Sequence, residues 1–311
     1  MFSVEEHRKV NGNYKGGLIL NPFDVIAPAP EKVEETSFDQ VLASRYDLFR
    51  ESVSDNLEQQ VKAGNASLRT LVDDQELDHV IEDTGYAVDL IFSDTKLIQP
   101  VKNLFDEHQY TGTHSVDVAL SSILLAAASG FDREHITDTG IVSILHDVGK
   151  IKHMEMYLKK GAFSDEDKNY MIQHPLDSAM MVLDQLMNLS RTYGGILQER
   201  VDRIVVGVLD HHENWDGGGY FKMKDFQISP IAQIVRIMDS GESATSPSRA
   251  ELYGRSPKSK GDLMSEIMDG AGTLYSPYFA KVMQNCYDEY QVSMQQKPVE
   301  VKGSTGGEKY Q

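Results

Sequence analysis

Apolar residues recur at spacings of three and four along most of this chain, and period-two alternation is almost absent. The pattern predicts a mainly α protein. One stripe comprises Phe38, Leu42, Tyr46, Phe49, Val53, Leu57 and Val61. It predicts a long helix with a single apolar face. Such a face either packs on its own domain or joins two copies into a homodimer. Residues 1–37 are mixed: Gly16-Gly17-Leu18-Ile19-Leu20 reads as a short strand, and Pro22, Pro28 and Pro30 then break any regular pattern. Leu71-Val72-Asp73-Asp74 and Asp83-Thr84-Gly85-Tyr86 predict an acidic, exposed helix face and a turn at Gly85.

From about residue 101 helical patterns follow one another with short connections. Helices are expected over about Ser115–Ser129, stopped by Gly130, over Asp138–His146, and from Ser164, whose following acids suit a first turn. Pro175 marks a helix start rather than a middle. Val201–His212 and Ile231–Met238 are further helices, with Gly217-Gly218-Gly219 a loop between them. The tail after about Gln295 is rich in Lys, Gly, Ser and Glu, the composition of a disordered segment. These changes divide the chain into an N-terminal region of unknown kind (1–100), a helical domain (101–295) and a tail (296–311).

Composition changes this picture in four ways. Apolar residues make up 40% and charged residues 25% of the 311, so a globular core is available. The single cysteine, Cys286, cannot form an internal disulfide, which fits a reducing cytoplasm. The N-terminus has no long apolar run, and the strongest apolar stretch, Ile123–Ala128, is far short of a membrane span. The net charge of −18 argues against steering of DNA or RNA. An anionic substrate would need a local cationic site, and bound metal ions are often the largest local charges in a site.

The chemistry-bearing residues are histidines and aspartates. His146-Asp147-Val148-Gly149-Lys150 follows the apolar Ile141, Ile144 and Leu145. A buried His–Asp pair is costly without partners; a metal would satisfy both, and so would a hydrogen-bonded core pair. His211-His212-Glu213 precedes Trp215-Asp216-Gly217-Gly218-Gly219-Tyr220. Adjacent helical residues point about 100° apart, so both histidines reach one ion only if the helix ends there; a surface helix end is the competing reading. His114, His174 before Pro175, and Asp239 after an apolar run are each weak alone, since a lone histidine is commonly a satisfied structural residue.

In order these residues read H…HDxxK…HP…HHExxDGxGY…D. The set resembles the HD-GYP subfamily of the HD phosphohydrolases over about residues 108–285, with Ser229-Pro230-Ile231-Ala232 and Gly272-Thr273-Leu274-Tyr275-Ser276-Pro277 as supporting phrases. The resemblance implies a helical bundle holding two or three metal ions, iron first and manganese as the common alternative. It implies cyclic di-GMP as substrate and the linear dinucleotide as first product. By matching positions, His114, His146, Asp147 and Asp239 would hold one ion. Asp147, His174, His211 and His212 would hold the other, with Asp147 bridging. Lys150 matches a phosphate-facing lysine, and Tyr220, Lys222 and Arg249 are further candidate substrate contacts.

Three departures touch the substrate side. Many family members carry a glutamate four residues before the first histidine; here that position is Tyr110, which favours two ions over three. The signature proline is Phe221, and losing a fixed φ predicts a freer loop. That loop is also a candidate protein-docking point. The run after Asp239 keeps Thr245 and Ser246, but its arginine, Arg249, is displaced by one position, with Arg255 a second candidate. Two alternatives to an active phosphodiesterase follow: a metal-bearing sensor or docking module with weak catalysis, and an HD enzyme acting on another phosphoester.

Overall fold

The computed structural model describes residues 22, 37–62, 74–159, 164–193, 198–252 and 254–296. The strand expected at Gly16–Leu20 and the tail beyond residue 296 lie outside them. Among the described residues the protein is helical, with only an isolated bridge between Ala271 and Tyr275. In chain order the helices are α1 (Phe38–Lys62), α2 (Asp74–Ser93), α3 (Thr95–Glu107), α4 (Gln109–Ala128) and α5 (Arg133–Leu145). A 3₁₀ turn (Val148–His153) and α6 (Met154–Tyr157) lead to the long α7 (Asp165–Tyr193). Then come α8 (Gln198–Leu209), α9 (Pro230–Thr245), α10 (Pro247–Leu252), α11 (Lys260–Asp269) and α12 (Pro277–Gln296). None of the described helices is long and apolar enough to cross a membrane.

The centre of the bundle is α4 with α5. From Thr111 onward α4 is buried almost throughout, and so is α5 from Ile136 to Leu145. A helix buried all round must hide its polar side chains. Here hydroxyls turn back onto their own helix. Ser115 donates to Thr111 O, Ser121 to Asp117 O, Thr139 to His135 O and Ser143 to Thr139 O. Each such bond satisfies a buried hydroxyl without a partner helix. The short side chains then let α2, α9 and α8 approach closely.

Several expected boundaries move. Gly85 makes no turn; α2 runs through it. His114 does not open a helix but sits in the second turn of α4, which begins at Gln109. Pro175 lies inside α7, not at its start. The expected division at residue 100 falls within α3, which also contains Pro100. Each proline removes one backbone donor and so frees the carbonyl four residues earlier. The structure supplies both replacements: the Gln185 side-chain amide donates to Lys96 O, and His174 Nδ1 donates to Met171 O at 2.6 Å.

Helix α1 packs on the same core. Phe38 and Phe49 are buried, and the Phe38 and Phe105 rings stand 5.2 Å apart. The first half of the expected stripe is therefore used within the chain, and Phe49 is not free to join a second copy. The side chains of Val53, Leu57 and Val61 lie outside the described set.

Candidate metal centre

Five segments meet around Asp147, which lies at the end of one of them. Helix α5 ends at Leu145, so His146 and Asp147 lie at its open C-terminal end. Helix α8 ends at Leu209, three residues shorter than the pattern predicted, and His211 and His212 lie in the turn beyond it. That ending lets two adjacent histidines face one point. Helix α7 contributes His174, α4 contributes His114, and α9 contributes Asp239. All are buried except His212, which is partly exposed.

Local backbone chemistry aims the imidazoles. His146 Nδ1, His174 Nδ1 and His211 Nδ1 lie 2.6 Å from the carbonyls of Ser143, Met171 and Val208, each three residues back. Two of these carbonyls belong to the last turn of a helix, where no amide remains to bond them, and the third is the one freed by Pro175. A carbonyl only accepts, so Nδ1 carries the proton and Nε2 is left with its lone pair. His114 is aimed by a carboxylate instead: its Nδ1 contacts Glu242 Oε2. A hydrogen bond to the other ring nitrogen is what orients a metal-binding histidine.

The Nε2 atoms meet around the two oxygens of Asp147. Oδ1 is 3.1 Å from His174 Nε2 and 3.9 Å from His211 Nε2. Oδ2 is 3.3 Å from His146 Nε2 and 3.8 Å from His114 Nε2. His114 Nε2 also lies 3.2 Å from Asp239 Oδ1, and His212 Nδ1 lies 4.0 Å from Asp239 Oδ2. Two sets result, Asp147 with His174, His211 and His212, and His114 with His146 and Asp239. In each set the donor atoms fall within 4.8 Å of one another.

These residues fit cations. His114 Nε2, His146 Nε2 and Asp147 Oδ1 are buried with no hydrogen-bond partner, an arrangement that is costly unless something bonds them. His174 Nε2 and His211 Nε2 face each other at 3.3 Å. With both protons on Nδ1, these are two lone pairs, which repel unless a cation joins them. Ligand nitrogens each about 2.1 Å from one ion would stand at roughly this separation.

The electrostatics agree. Burial pushes His211, His212 and His174 down, and neighbouring histidines or Lys150 add to the shift, so all three are held neutral, the form in which an imidazole can bind a metal. Burial opposes charge on Asp147, yet His146 and Lys150 hold its carboxyl well below the usual range. Burial likewise opposes charge on His114, but Glu242 and Asp239 hold it up at about 9. The pocket between those two carboxylates demands positive charge.

The substrate-side candidates separate. Lys150 Nζ donates to Asp147 Oδ2 beside the Tyr157 ring. The Tyr220 ring stands 5.0 Å from His212 and walls the site. Lys222 is exposed at the loop's turn, with a left-handed φ of 59°. Arg249 is folded over Tyr110, 5.8 Å from its ring centroid, and Arg255 bonds Ser243 O instead. The loop is not left free by the missing proline. Buried Glu213 accepts from Phe221 N at 2.8 Å and Met223 N at 2.7 Å. A proline at 221 could not donate the first of these bonds.

Two carboxylates escaped the sequence reading. Glu242 lies one turn after Asp239 on α9 and accepts from Tyr110 Oη at 2.8 Å as well as meeting His114. Its signal was the spacing of three from Asp239, which shares a helix face. Glu213 stood within the quoted motif without a role.

The HD domain family matches residues 111–243. A cyclic di-GMP phosphodiesterase of Pseudomonas aeruginosa is 31% identical over 174 residues, 53% of this chain and 39% of that protein. A cyclic di-GMP phosphodiesterase of Thermotoga maritima is 29% identical over 198 residues, 61% of this chain and 50% of that protein. A 3'3'-cGAMP-specific phosphodiesterase of Vibrio cholerae is 23% identical over 215 residues, 67% of this chain and 38% of that protein. The chain thus spans half or less of the length of these curated relatives. A solved HDG"Y"P protein from Bdellovibrio bacteriovorus has 18% identity and a TM-score of 0.45, covering 83% of this chain and 75% of that one. Residues 111–243, which hold His114, His146, Asp147, His174, His211, His212 and Asp239, are thus similar to an HD domain, and the curated relatives matched here are cyclic-dinucleotide phosphodiesterases.

Proposed function

We propose that this chain hydrolyses cyclic di-GMP to the linear dinucleotide at a two-ion centre. The observation that carries the reading is Asp147. It is fully buried, and its two oxygens face two separate histidine sets. A carboxylate so placed is suited to bridge one ion held by His174, His211 and His212 to another held by His114, His146 and Asp239. Ions there would supply Lewis acidity toward the phosphoryl oxygens and lower the pKa of water. Imidazole and carboxylate donors suit iron, manganese, zinc and nickel to differing degrees, and the family resemblance puts iron first. Glu242 supports two ions rather than three, because its Oε2 is already engaged by Tyr110 and His114.

The chain's own residues divide the remaining work. Lys150 lies against Asp147 and would stabilise negative charge on a phosphoryl oxygen during attack. The oxygen of water bonds to phosphorus, the bond to the 3′ oxygen breaks, and that oxygen takes up a proton. Tyr220 over His212 and the loop clamped by Glu213 would orient the nucleotide and exclude bulk water.

A second reading is a metal-bearing docking module. Phe221 and Phe226 are 41% and 55% exposed, alternating with the exposed Lys222 and Lys224, a surface suited to an acidic partner. A product assay separates the readings. The protein is purified anaerobically with iron or manganese and mixed separately with cyclic di-GMP and 3'3'-cGAMP. Linear dinucleotide from the wild type and none from Asp147→Ala is expected. Preferential cleavage of 3'3'-cGAMP would move the substrate assignment. No product from a chain that binds two ions would leave the docking reading.

A further inference from the structure

Helix α1 and the metal centre are joined by a buried charge pair. Arg45, on α1, reaches Asp117, on α4. Nε donates to Oδ1 at 2.6 Å and Nη2 to Oδ2 at 3.2 Å, a two-point fork. Arg45 is 8% exposed and Asp117 7%. Asp117 stands one turn after His114, on the helix that carries it. Glu242, which contacts His114 Nδ1, also acts by its charge on Arg45 and on Asp117. Two buried carboxylates thus stand near one metal-ligand candidate, and the cation that reaches them from α1 is Arg45.

The physics of such a pair is asymmetric. A buried ion pair adds little net stability, but removing one partner leaves an uncompensated buried charge. If α1 lifted away, Asp117 would lose its fork and need water or another cation. Either would disturb the turn of α4 that sets His114. The other ligand set, on α7 and the turn after α8, has no such connection to α1 through this pair.

We propose that α1 is a control element for the His114 half of the metal centre, with Arg45 as the positioning residue that couples them. This rests on the two-ion reading above. Docking of α1 and metal binding at His114, His146 and Asp239 then favour each other, and by linkage the effect is reciprocal. An input acting on α1 is read at one ion and not the other. A purely structural role for the pair would affect both ligand sets alike.

The test uses the full chain and Mn²⁺ alone. Calorimetric titration measures the binding of each ion, and hydrogen exchange follows the amides of residues 38–50 with and without Mn²⁺. Arg45→Met should weaken one ion by about tenfold, the lower end of second-shell effects, and leave the other unchanged. Mn²⁺ should slow exchange in α1 of the wild type and not in Arg45→Met. Equal binding of both ions by wild type and variant would overturn the coupling, and so would α1 exchange that ignores Mn²⁺ in the wild type. If Arg45→Met fails to fold, Arg45→Lys keeps the charge but not the fork. It should weaken the same ion several-fold, and a folded Arg45→Lys with wild-type binding of both would overturn the proposal. A wild-type chain that binds no Mn²⁺ would instead remove the two-ion reading and this coupling with it.

Discussion

Replacing Gly149 with alanine adds one methyl group where the turn after Asp147 meets α7. An ideal Cβ there would lie 2.5 Å from Ser178 N, 2.6 Å from the His174 carbonyl oxygen and 2.8 Å from Ser178 Oγ. Ordinary contact begins near 3.4 Å, so turn and helix must part by roughly 1 Å. Two of the three atoms are helix backbone and cannot rotate away. Overpacking of this kind costs about 1–3 kcal/mol. The Gly149 N–H also donates to Ser178 Oγ at 2.8 Å, and weakening that bond adds about 1 kcal/mol. The sum, about 2–4 kcal/mol, would lower Tm by roughly 4–8 °C at about 2 °C per kcal/mol. The same displacement stretches the 3.1 Å approach of Asp147 Oδ1 to His174 Nε2. Affinity for Mn²⁺ should therefore fall about tenfold or more. Thermal unfolding and metal titration of Gly149→Ala read both effects. A variant with wild-type Tm and wild-type Mn²⁺ affinity would refute the idea that this close approach sets the ligand spacing.

Three further outcomes are expected. Glu213→Gln should speed hydrogen exchange at Phe221 and Met223 and raise KM with little change in metal affinity, because one backbone N–H would face an amide NH₂ in place of an acceptor; unchanged exchange would show that the carboxylate does not hold the loop. Asp132 caps α5 at His135 N, and the His135 side chain, then that backbone bond, hold its carboxyl at about 2 against an ordinary 3.8. Asp132→Ala should cost about 1 kcal/mol in urea unfolding at neutral pH. A depressed carboxyl stabilises above its unfolded value, so the gap to wild type should narrow as pH falls from about 4 toward 2; a pH-independent gap would argue against the cap as its source. Arg203→Met removes two bonds to Asp138, of 2.8 and 2.6 Å, leaving that buried carboxylate to Arg200. A loss of about 3 kcal/mol is expected, and denaturation of a fully stable variant would contradict it.

Much of this protein could be read from its residues in order. The period of three and four specified helices, because each helix must turn one apolar stripe inward. His146-Asp147 and His211-His212 announced themselves because adjacent ionisable residues in an apolar setting need a partner. Helix ends were harder. Pro175 looked like a start because a proline removes a donor, and nothing local said that the freed carbonyl of Met171 would be met by His174 itself. The loss of the signature proline suggested a freer loop, and nothing in the spacing said that Glu213 would bind Phe221 N.

The sequence by itself therefore determined the helical class, the core stripes and the donor types available to a metal. Which donors share a point was decided only by the tertiary structure. Asp147 faces His174, His211, His146 and His114 because four segments far apart in the chain end or cross at one place. Glu242 reaches His114 across 128 positions, and Arg45 reaches Asp117 across 72. Such pairings leave no periodic trace, because local spacing fixes which way a side chain points along its own helix and not which helix it will meet.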